Sequence, residues 1–113
     1  MLSELTLNIY TLNERKEDNM AVRIFIRRRV PETRINGIIQ LFRRLRRKAL
    51  EQEGYISGET LRSLKDSEIY IVISSWQTLE DWTRWSESPE RKEIQGKIDD
   101  LLGGQTEYDI FHY

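Results

Sequence analysis

The segment Ile69–Trp76 (IYIVISSW) constrains the fold more than any other part of the sequence. Side chains alternate between the two faces of a β-strand. Both faces are apolar here: one carries Ile69, Ile71 and Ile73, and the other carries Tyr70, Val72 and Trp76. A strand of this kind belongs inside a sheet that is covered on both sides, because an exposed face would normally be polar.

The residues before this segment switch between two periodicities. Alternating apolar residues predict a strand over Ala21–Val30, which Pro31 ends. Apolar residues at helical spacing then predict a helix over Glu32–Glu53. The segment Tyr55–Leu64 reads as a strand that forms a hairpin with Ile69–Trp76 across a polar turn.

Two helix start signals follow the hairpin. Thr78, with an acidic residue three positions later, predicts a short helix that runs through Trp85. Ser88, followed by a proline, predicts the start of a second helix that ends at the Gly103-Gly104 pair. The chain then closes with a short aromatic strand over Glu107–Tyr113.

This order of elements predicts an α+β fold. Two crossovers around one hairpin give a ferredoxin-like βαββαβ domain, with a four-stranded antiparallel sheet and the helices on one face. A chain of 113 residues supports one such domain, which we assign to residues 20–113. Residues 1–19 are predicted to be an N-terminal extension, either a loose tail or a short strand at Leu5–Tyr10 beside a sheet edge.

The second face of the sheet needs a cover. It carries apolar residues from Ile69–Trp76 and from the final strand, and an exposed apolar patch of several hundred Å² is rare on a soluble monomer. We therefore expect two copies to pack their sheets together as a homodimer, burying about 800 Å² per partner.

The composition excludes several kinds of chemistry. The chain has no cysteine, and so it has no disulfide, thiol nucleophile or thiolate metal site. It has no apolar run of the roughly 20 residues that a membrane helix needs, and the N-terminus lacks the pattern of a secretory signal. We expect a cytoplasmic protein that contacts no membrane, and the lack of cysteine and of a metal-ligand cluster in the sequence agrees with a site that holds no metal.

The stretch Glu51–Gln95 resembles the antibiotic-biosynthesis monooxygenase family. The features are a helix that ends in EQEGY, a hairpin whose second strand ends in Trp76, a short helix with two tryptophans (TLEDWTRW), and a helix that starts with SPE. The similarity extends over residues 20–113, and the order and spacing of the motifs carry it.

The resemblance implies a dimeric α/β barrel that oxidises an electron-rich aromatic compound with O₂ and without a cofactor. Such chemistry needs a substrate that is easily deprotonated and oxidised, such as a quinol or an anthrone. The protein supplies a dry pocket, a proton acceptor and hydrogen bonds to the developing oxyanion. The alternative is a non-catalytic ligand-binding or stress-response domain of the same fold.

A related branch of the family degrades haem, and the sequence disfavours that activity. Members of that branch combine a tryptophan before the last helix, an iron-ligating histidine ten residues later and an asparagine in the first strand. Trp85 matches the tryptophan, but Gln95 stands at the position of the histidine, and Ala21–Val30 contains no asparagine.

Aromatic residues are the candidates for a substrate pocket. Trp85 is the strongest, and Trp76, Tyr70 and Phe42 are expected to shape the same pocket, although each could instead be an ordinary core residue. His112, the only histidine, could act as a general base, and Gln95 could hydrogen-bond a ligand oxygen; an ordinary strand residue for His112 and a solvated helix residue for Gln95 are the favoured alternatives.

The basic runs at Arg27–Arg29 and Arg43–Lys48 raise the alternative of RNA binding, since RNA-recognition domains share this topology. The segment Ile69–Ser75 lacks the glycine-aromatic signature that such domains carry on the third strand. A solvated arginine-rich helix face is the better interpretation, and we expect no nucleic-acid partner.

Overall fold

The computed structural model describes residues 20–104 and 106–113. The strands are β1 (Val22–Arg29), β2 (Tyr55–Arg62), β3 (Ile69–Trp76) and β4 (Glu107–His112), and the helices are α1 (Ile35–Leu50), α2 (Leu79–Ser86) and α3 (Pro89–Leu102). The strands form an antiparallel sheet in the order β2-β3-β1-β4, which confirms the predicted ferredoxin-like α+β fold. The prediction for residues 1–19 lies outside the described residues.

The alternation of side chains along β1 sets the two faces of the sheet. Val22, Ile24 and Ile26 are buried under the helices and pair with residues of β3 and β4 on either side. The same alternation continues to Arg28, which is also buried on the helix-covered face, whereas Arg27 and Arg29 are exposed. The central strand therefore carries a charged residue into the space beneath the helices.

The predicted helix over Glu32–Glu53 is shorter in the structure. Glu32–Arg34 form a single 3₁₀ turn, α1 begins at Ile35, and it ends at Leu50 before a turn through Gly54. The φ angle of Gly54 is 84°, a conformation that glycine adopts readily. A Cβ atom at this position would overlap the carboxylate of Asp81, and so the turn also needs the space that glycine leaves.

Both predicted helix starts are confirmed by their capping hydrogen bonds. Thr78 Oγ1 accepts from the backbone N–H of Asp81 at 3.0 Å, and Ser88 Oγ accepts from the backbone N–H of Arg91 at 3.2 Å. Each bond satisfies a backbone donor that the first turn of a helix leaves unpaired. Ser88 also donates to the carbonyl of Trp85 at 2.8 Å, which joins the end of α2 to the start of α3.

The helices bury two apolar clusters against the sheet. One cluster comprises Val22, Ile24, Ile26, Trp76, Trp82 and Trp85. The other, at the opposite end of β1, comprises Val30, Ile38, Ile94 and Ile98. Leu45 of α1 packs against both clusters, and so α1 spans the length of the helix-covered face.

The other face of the sheet, which we call the open face, is partly exposed. Phe25 of β1 and Phe111 of β4 meet there edge to face, with ring centroids 5.2 Å apart. Ile71 lies opposite Leu61, and Phe111 and Leu61 expose 56% and 50% of their surface. The predicted division of β3 into two apolar faces agrees with the pairing of its residues.

Candidate functional site

A cavity of about 170 Å³ lies between the second half of α1 and the helix-covered face of the sheet. Ile26 of β1 and Val72 of β3 form part of its apolar floor, and Phe42 and Ala49 of α1 form part of the opposite wall. Strand alternation turns Ile26 and Val72 toward the helices, and helical spacing turns Phe42 and Ala49 toward the sheet. The cavity is thus a gap in the core between two elements.

Three indole rings form one end of the cavity. Trp76, Trp82 and Trp85 all line it, and all three are buried. Trp76 packs edge to face against Tyr55, with centroids 5.3 Å apart, and its centroid is 5.8 Å from that of Trp82. Its Nε1 donates to Ser74 Oγ at 3.1 Å, which satisfies the one polar group of the indole. The tryptophans present a fixed aromatic surface.

Two buried guanidinium groups also line the cavity. Arg28 is 2% exposed and Arg91 is 5% exposed. Within residues 20–104 and 106–113, no carboxylate lies within ion-pair distance of either group. Buried arginines normally have such a partner, and so this pair is the least expected feature of the site.

Arg28 is oriented by a neutral side chain. One of its terminal nitrogens donates to Gln95 Oε1 at 2.8 Å, and its Nε is buried with no hydrogen-bond partner among the described residues. Gln95 Nε2 donates to Asp99 Oδ1 at 2.8 Å and to Thr106 Oγ1 at 3.1 Å. The oxygen and the nitrogen of the Gln95 amide thus both make hydrogen bonds, and the amide holds the guanidinium of Arg28 in one orientation.

Arg91 is positioned by the start of α3. The Ser88 cap accepts from its backbone N–H, and a terminal nitrogen of its side chain donates to Tyr108 Oη at 2.8 Å. The guanidinium carbon lies 5.3 Å from the ring centroids of both Trp82 and Tyr108. A cation in the first turn of a helix is disfavoured by the helix dipole, and so the location of Arg91 is not explained by helix stability.

The cost of burying these charges is only partly offset. The pKa of Arg28 is lowered to about 10, chiefly by desolvation on burial; Tyr108 opposes this shift, the nearby charge of Arg91 adds to it, and Asp99 opposes it least. The guanidinium carbon of Arg28 lies 5.1 Å from the centroid of Phe42. Such a cation–π contact contributes up to about 2 kcal/mol, whereas burying an ion costs several kcal/mol. At neutral pH, Arg28 remains charged.

The mouth of the cavity lies between α1 and the edge strand β2. Exposed residues of both elements are among the lining residues: Arg43 and Arg46 of α1, and Thr60 and the backbone at Glu59 of β2. Arg46 reaches across the gap, with a terminal nitrogen 3.5 Å from the carbonyl oxygen of Gly58. Long, solvated side chains therefore border the entrance.

The structure brings together some of the site residues expected from the sequence. Trp85, Trp76 and Phe42 line the cavity. Tyr70 lines a separate hollow with Val30 and Arg62.

Two further candidates lie outside the cavity wall. Gln95 lies behind Arg28, as described, and is not among the lining residues. His112 is exposed near the end of β4, where its Nδ1 is 3.1 Å from the carbonyl oxygen of Tyr113. The structure therefore gives neither residue direct contact with a molecule in the cavity.

Sequence reasoning missed Arg28 and Arg91, although a signal for each was present. Arg28 follows Ile24 and Ile26 at alternate positions and therefore shares their face. Arg91 precedes Ile94 and Ile98 by three and seven positions, which places it on the buried stripe of α3. Both were obscured by the general abundance of arginine in the chain.

The site supports binding of an aromatic ring and stabilisation of negative charge. Indole and phenyl rings line the cavity where an aromatic ring could lie, and two guanidinium groups in the cavity wall offer N–H donors. Among the described residues, no group of three or more histidine, cysteine, aspartate or glutamate side chains is arranged to hold a metal ion. None of the helices in this part of the chain has the length and apolar character that crossing a lipid bilayer requires.

A ferredoxin-like sheet with an aromatic cavity beneath its helices defines a small α+β domain with an internal pocket. The family model for antibiotic biosynthesis monooxygenases matches residues 21–97. The chain therefore belongs to this family, which confirms the resemblance in the sequence.

Solved structures share the fold. A conserved protein from Methanosarcina mazei Go1 is 21% identical, with a TM-score of 0.76, and the match covers 87% of this chain and 97% of that one. SnoaB from Streptomyces nogalater, a cofactor-independent oxygenase, is 18% identical, with a TM-score of 0.73 and coverage of 83% and 93%. Rv0793 from Mycobacterium tuberculosis is 11% identical, with a TM-score of 0.74 and coverage of 82% and 94%. Among curated protein sequences, there is no significant match.

Proposed function

We propose that this protein is a cofactor-independent monooxygenase that oxidises an electron-rich aromatic compound with O₂. Membership of the family and the shared fold with SnoaB support the class of reaction. The single observation that carries the proposal is the cavity itself, in which buried indoles meet two buried guanidinium groups.

The proposed chemistry begins with deprotonation of the bound substrate. Nearby cations stabilise an anion and lower the pKa of the group that forms it, so Arg28 and Arg91 favour the phenolate or enolate of the ring. Such an anion is electron-rich enough to give an electron to O₂. In the overall reaction of an anthrone-like CH₂ group, one oxygen atom becomes the carbonyl of the product, and the other leaves as water with the two hydrogens.

The residues have distinct proposed roles. Trp85, Trp76 and Phe42 shape the pocket, and Gln95 acts through Arg28 by holding its guanidinium in place. Proton handling by His112 and a pocket role for Tyr70 remain predictions. If His112→Ala kept full activity, the first of these would be rejected.

The volume of the cavity bears on the size of the substrate. A cavity of about 150 Å³ is known to hold one benzene molecule, and this one measures about 170 Å³. One aromatic ring therefore fits inside, and further rings would extend through the mouth between α1 and β2. A quinol-sized head group is favoured over a polycycle that is fully enclosed.

Oxygen uptake with a panel of hydroquinones and anthrones tests the proposal. We expect uptake with at least one compound. Phe42→Ala removes a ring from the cavity wall, and we expect kcat/KM to fall about tenfold, which corresponds to a loss of about 1.4 kcal/mol of transition-state stabilisation. Leu50→Ala is the matched control on the same helix, since Leu50 is exposed and does not line the cavity.

Absence of uptake with every compound would reject the oxygenase. The alternative, a non-catalytic ligand-binding domain, then predicts saturable binding of the same compounds with no oxygen consumed. Both functions use the same cavity, and so oxygen consumption discriminates between them.

We also propose that the protein is a homodimer in which two open faces pack together. Apolar residues on this face include Phe25, Ile71 and Phe111. The same face carries Arg23, Arg27 and Arg29 on the central strand β1, and Glu59, Glu107 and Asp109 on the two edge strands. A second copy can therefore match both the apolar surface and the charges, as interfaces between subunits do.

A further inference from the structure

We propose that the cavity binds its aromatic ligand through a carboxylate group, which the guanidinium groups of Arg28 and Arg91 hold. The inference rests on the proposed function only in taking this cavity as the ligand site. It adds the substrate class, an aromatic acid whose carboxylate shares the two guanidinium groups with the neighbouring ring oxygen that is deprotonated.

The first argument is the unused hydrogen-bonding capacity. Each guanidinium has five N–H groups. Arg28 donates to Gln95 and Arg91 donates to Tyr108, each from one terminal nitrogen, and Nε of Arg28 is buried without a partner in the described part of the chain. Planar guanidinium groups match the two oxygens of a carboxylate better than any neutral group does.

The second argument is the balance of charge at the site. Among the described residues, four arginines line the cavity (Arg28, Arg43, Arg46 and Arg91), and the one acidic lining residue, Glu59, lies opposite Ile73 and so turns its side chain to the open face. Asp99 approaches Arg28 only through the amide of Gln95. Since the two buried cations repel each other, a bound anion would relieve a cost that the protein itself leaves uncompensated.

The third argument is that a purely structural role explains the two arginines poorly. Arg91 sits in the first turn of α3, where the helix dipole opposes a cation. The cation–π contacts of Arg28 with Phe42 and of Arg91 with Trp82 offset only part of the cost of burying the two charges. A binding site for an anion accounts for both positions at once.

Calorimetric titration with two probes of the same shape tests the inference. The probes are 1-naphthoate and its neutral analogue 1-naphthamide, at pH 7.5. We expect the wild-type protein to bind naphthoate at least about tenfold more tightly than naphthamide, and we expect Arg28→Met and Arg91→Met to bring the two affinities within about twofold of each other. Arg28→Lys should keep part of the preference, because it keeps the charge.

Arg47→Met is the matched control, since Arg47 is exposed on α1 and does not line the cavity. This variant should keep the full preference for naphthoate. Arg28→Met and Arg91→Met each remove a buried charge whose desolvation costs several kcal/mol and leave no carboxylate unpaired, and so the two variants are expected to fold, which circular dichroism checks.

The outcomes separate this inference from the oxygenase proposal. Equal binding of both probes by the wild type would overturn the inference and leave the aromatic cavity intact. Failure of the wild type to bind either probe would also overturn it, and so would a preference that survives in both methionine variants. Oxygen uptake is measured in a separate experiment, and its result alone decides whether the oxygenase proposal holds.

Discussion

Arg28 shows how neighbouring residues of one type can have different environments. Arg27 and Arg29 are exposed and pair with Glu107 at 3.6 Å and with Asp66 at 2.7 Å, whereas Arg28 is buried beneath the helices. The period of the strand determines this difference, and the sequence therefore contained it. The partners of Arg28 could not be predicted, because they depend on how α3 packs over β1.

Asp66 gives a prediction about pH at the scale of single residues. Its carboxylate accepts from Arg29 and from the backbone N–H of Glu68, and these hydrogen bonds, the first above all, lower the pKa of Asp66 in the folded protein. The stabilisation is therefore fully present above the ordinary value of 3.8 and is lost as the pH falls through the lower folded value. We expect wild type to be more stable than Asp66→Asn at pH 7 and to lose this advantage below pH 3.8.

Urea denaturation across this pH range measures the difference. Asp100→Asn is a suitable control, because Asp100 is exposed and makes no ion pair within the described part of the chain. A difference between wild type and Asp66→Asn that stayed constant down to pH 2 would contradict the assignment.

At the scale of elements, local signals in the sequence predicted what local interactions determine. Ser88 and Thr78 cap their helices as expected, because capping needs only residues a few positions apart. The predicted helix over Glu32–Glu53 was too long at both ends. The α-helix begins at Ile35, the first apolar residue of the stripe, and the three polar residues before it form a 3₁₀ turn. The close approach of Gly54 to Asp81 involves residues too far apart in sequence to be predicted.

Gly54 gives a prediction at this scale. Gly54→Ala would strain the backbone at φ 84° and force the Asp81 carboxylate to move. The left-handed conformation alone costs roughly 1–2 kcal/mol for alanine, and displacement of Asp81 adds the loss of its hydrogen bonds with Thr78 and Arg84. We expect thermal unfolding to show a fall in Tm of about 8 °C or more.

Gly103→Ala provides the comparison for this experiment. Gly103 has a φ of 63°, and no atom lies within 4 Å of a Cβ built there. It therefore reports the backbone strain alone and should lower Tm by a clearly smaller amount. Equal losses in the two variants would mean that the contact with Asp81 contributes nothing.

At the scale of the whole molecule, the order of strands and helices followed from the alternation of periodicities along the chain. The apolar character of both faces of β3 also followed from the sequence. The cavity could not be predicted from the sequence, because it depends on the distance between α1 and the sheet, and many packing contacts together determine that distance. Three of the predicted pocket residues, Trp85, Trp76 and Phe42, nevertheless line it.

The proposed dimer gives a prediction for the whole molecule. Phe111 and Ile110 are neighbours on β4 with similar exposure, 56% and 50%, but they lie on opposite faces of the sheet. We expect wild type and Ile110→Glu to sediment as dimers and Phe111→Glu to sediment as a monomer, because only Phe111 lies on the open face. A wild-type chain that remained monomeric at high concentration in sedimentation velocity would refute the dimer.

The amide of Gln95 links the cavity to the start of the edge strand β4 by side-chain hydrogen bonds. Its oxygen holds Arg28 at the cavity, and its nitrogen holds Thr106, directly before β4. A molecule that draws Arg28 toward itself therefore also pulls on the anchor of the last strand. Since β4 is an edge of the sheet, occupancy of the interior would be transmitted mechanically to the rim of the surface on which a second subunit would rest.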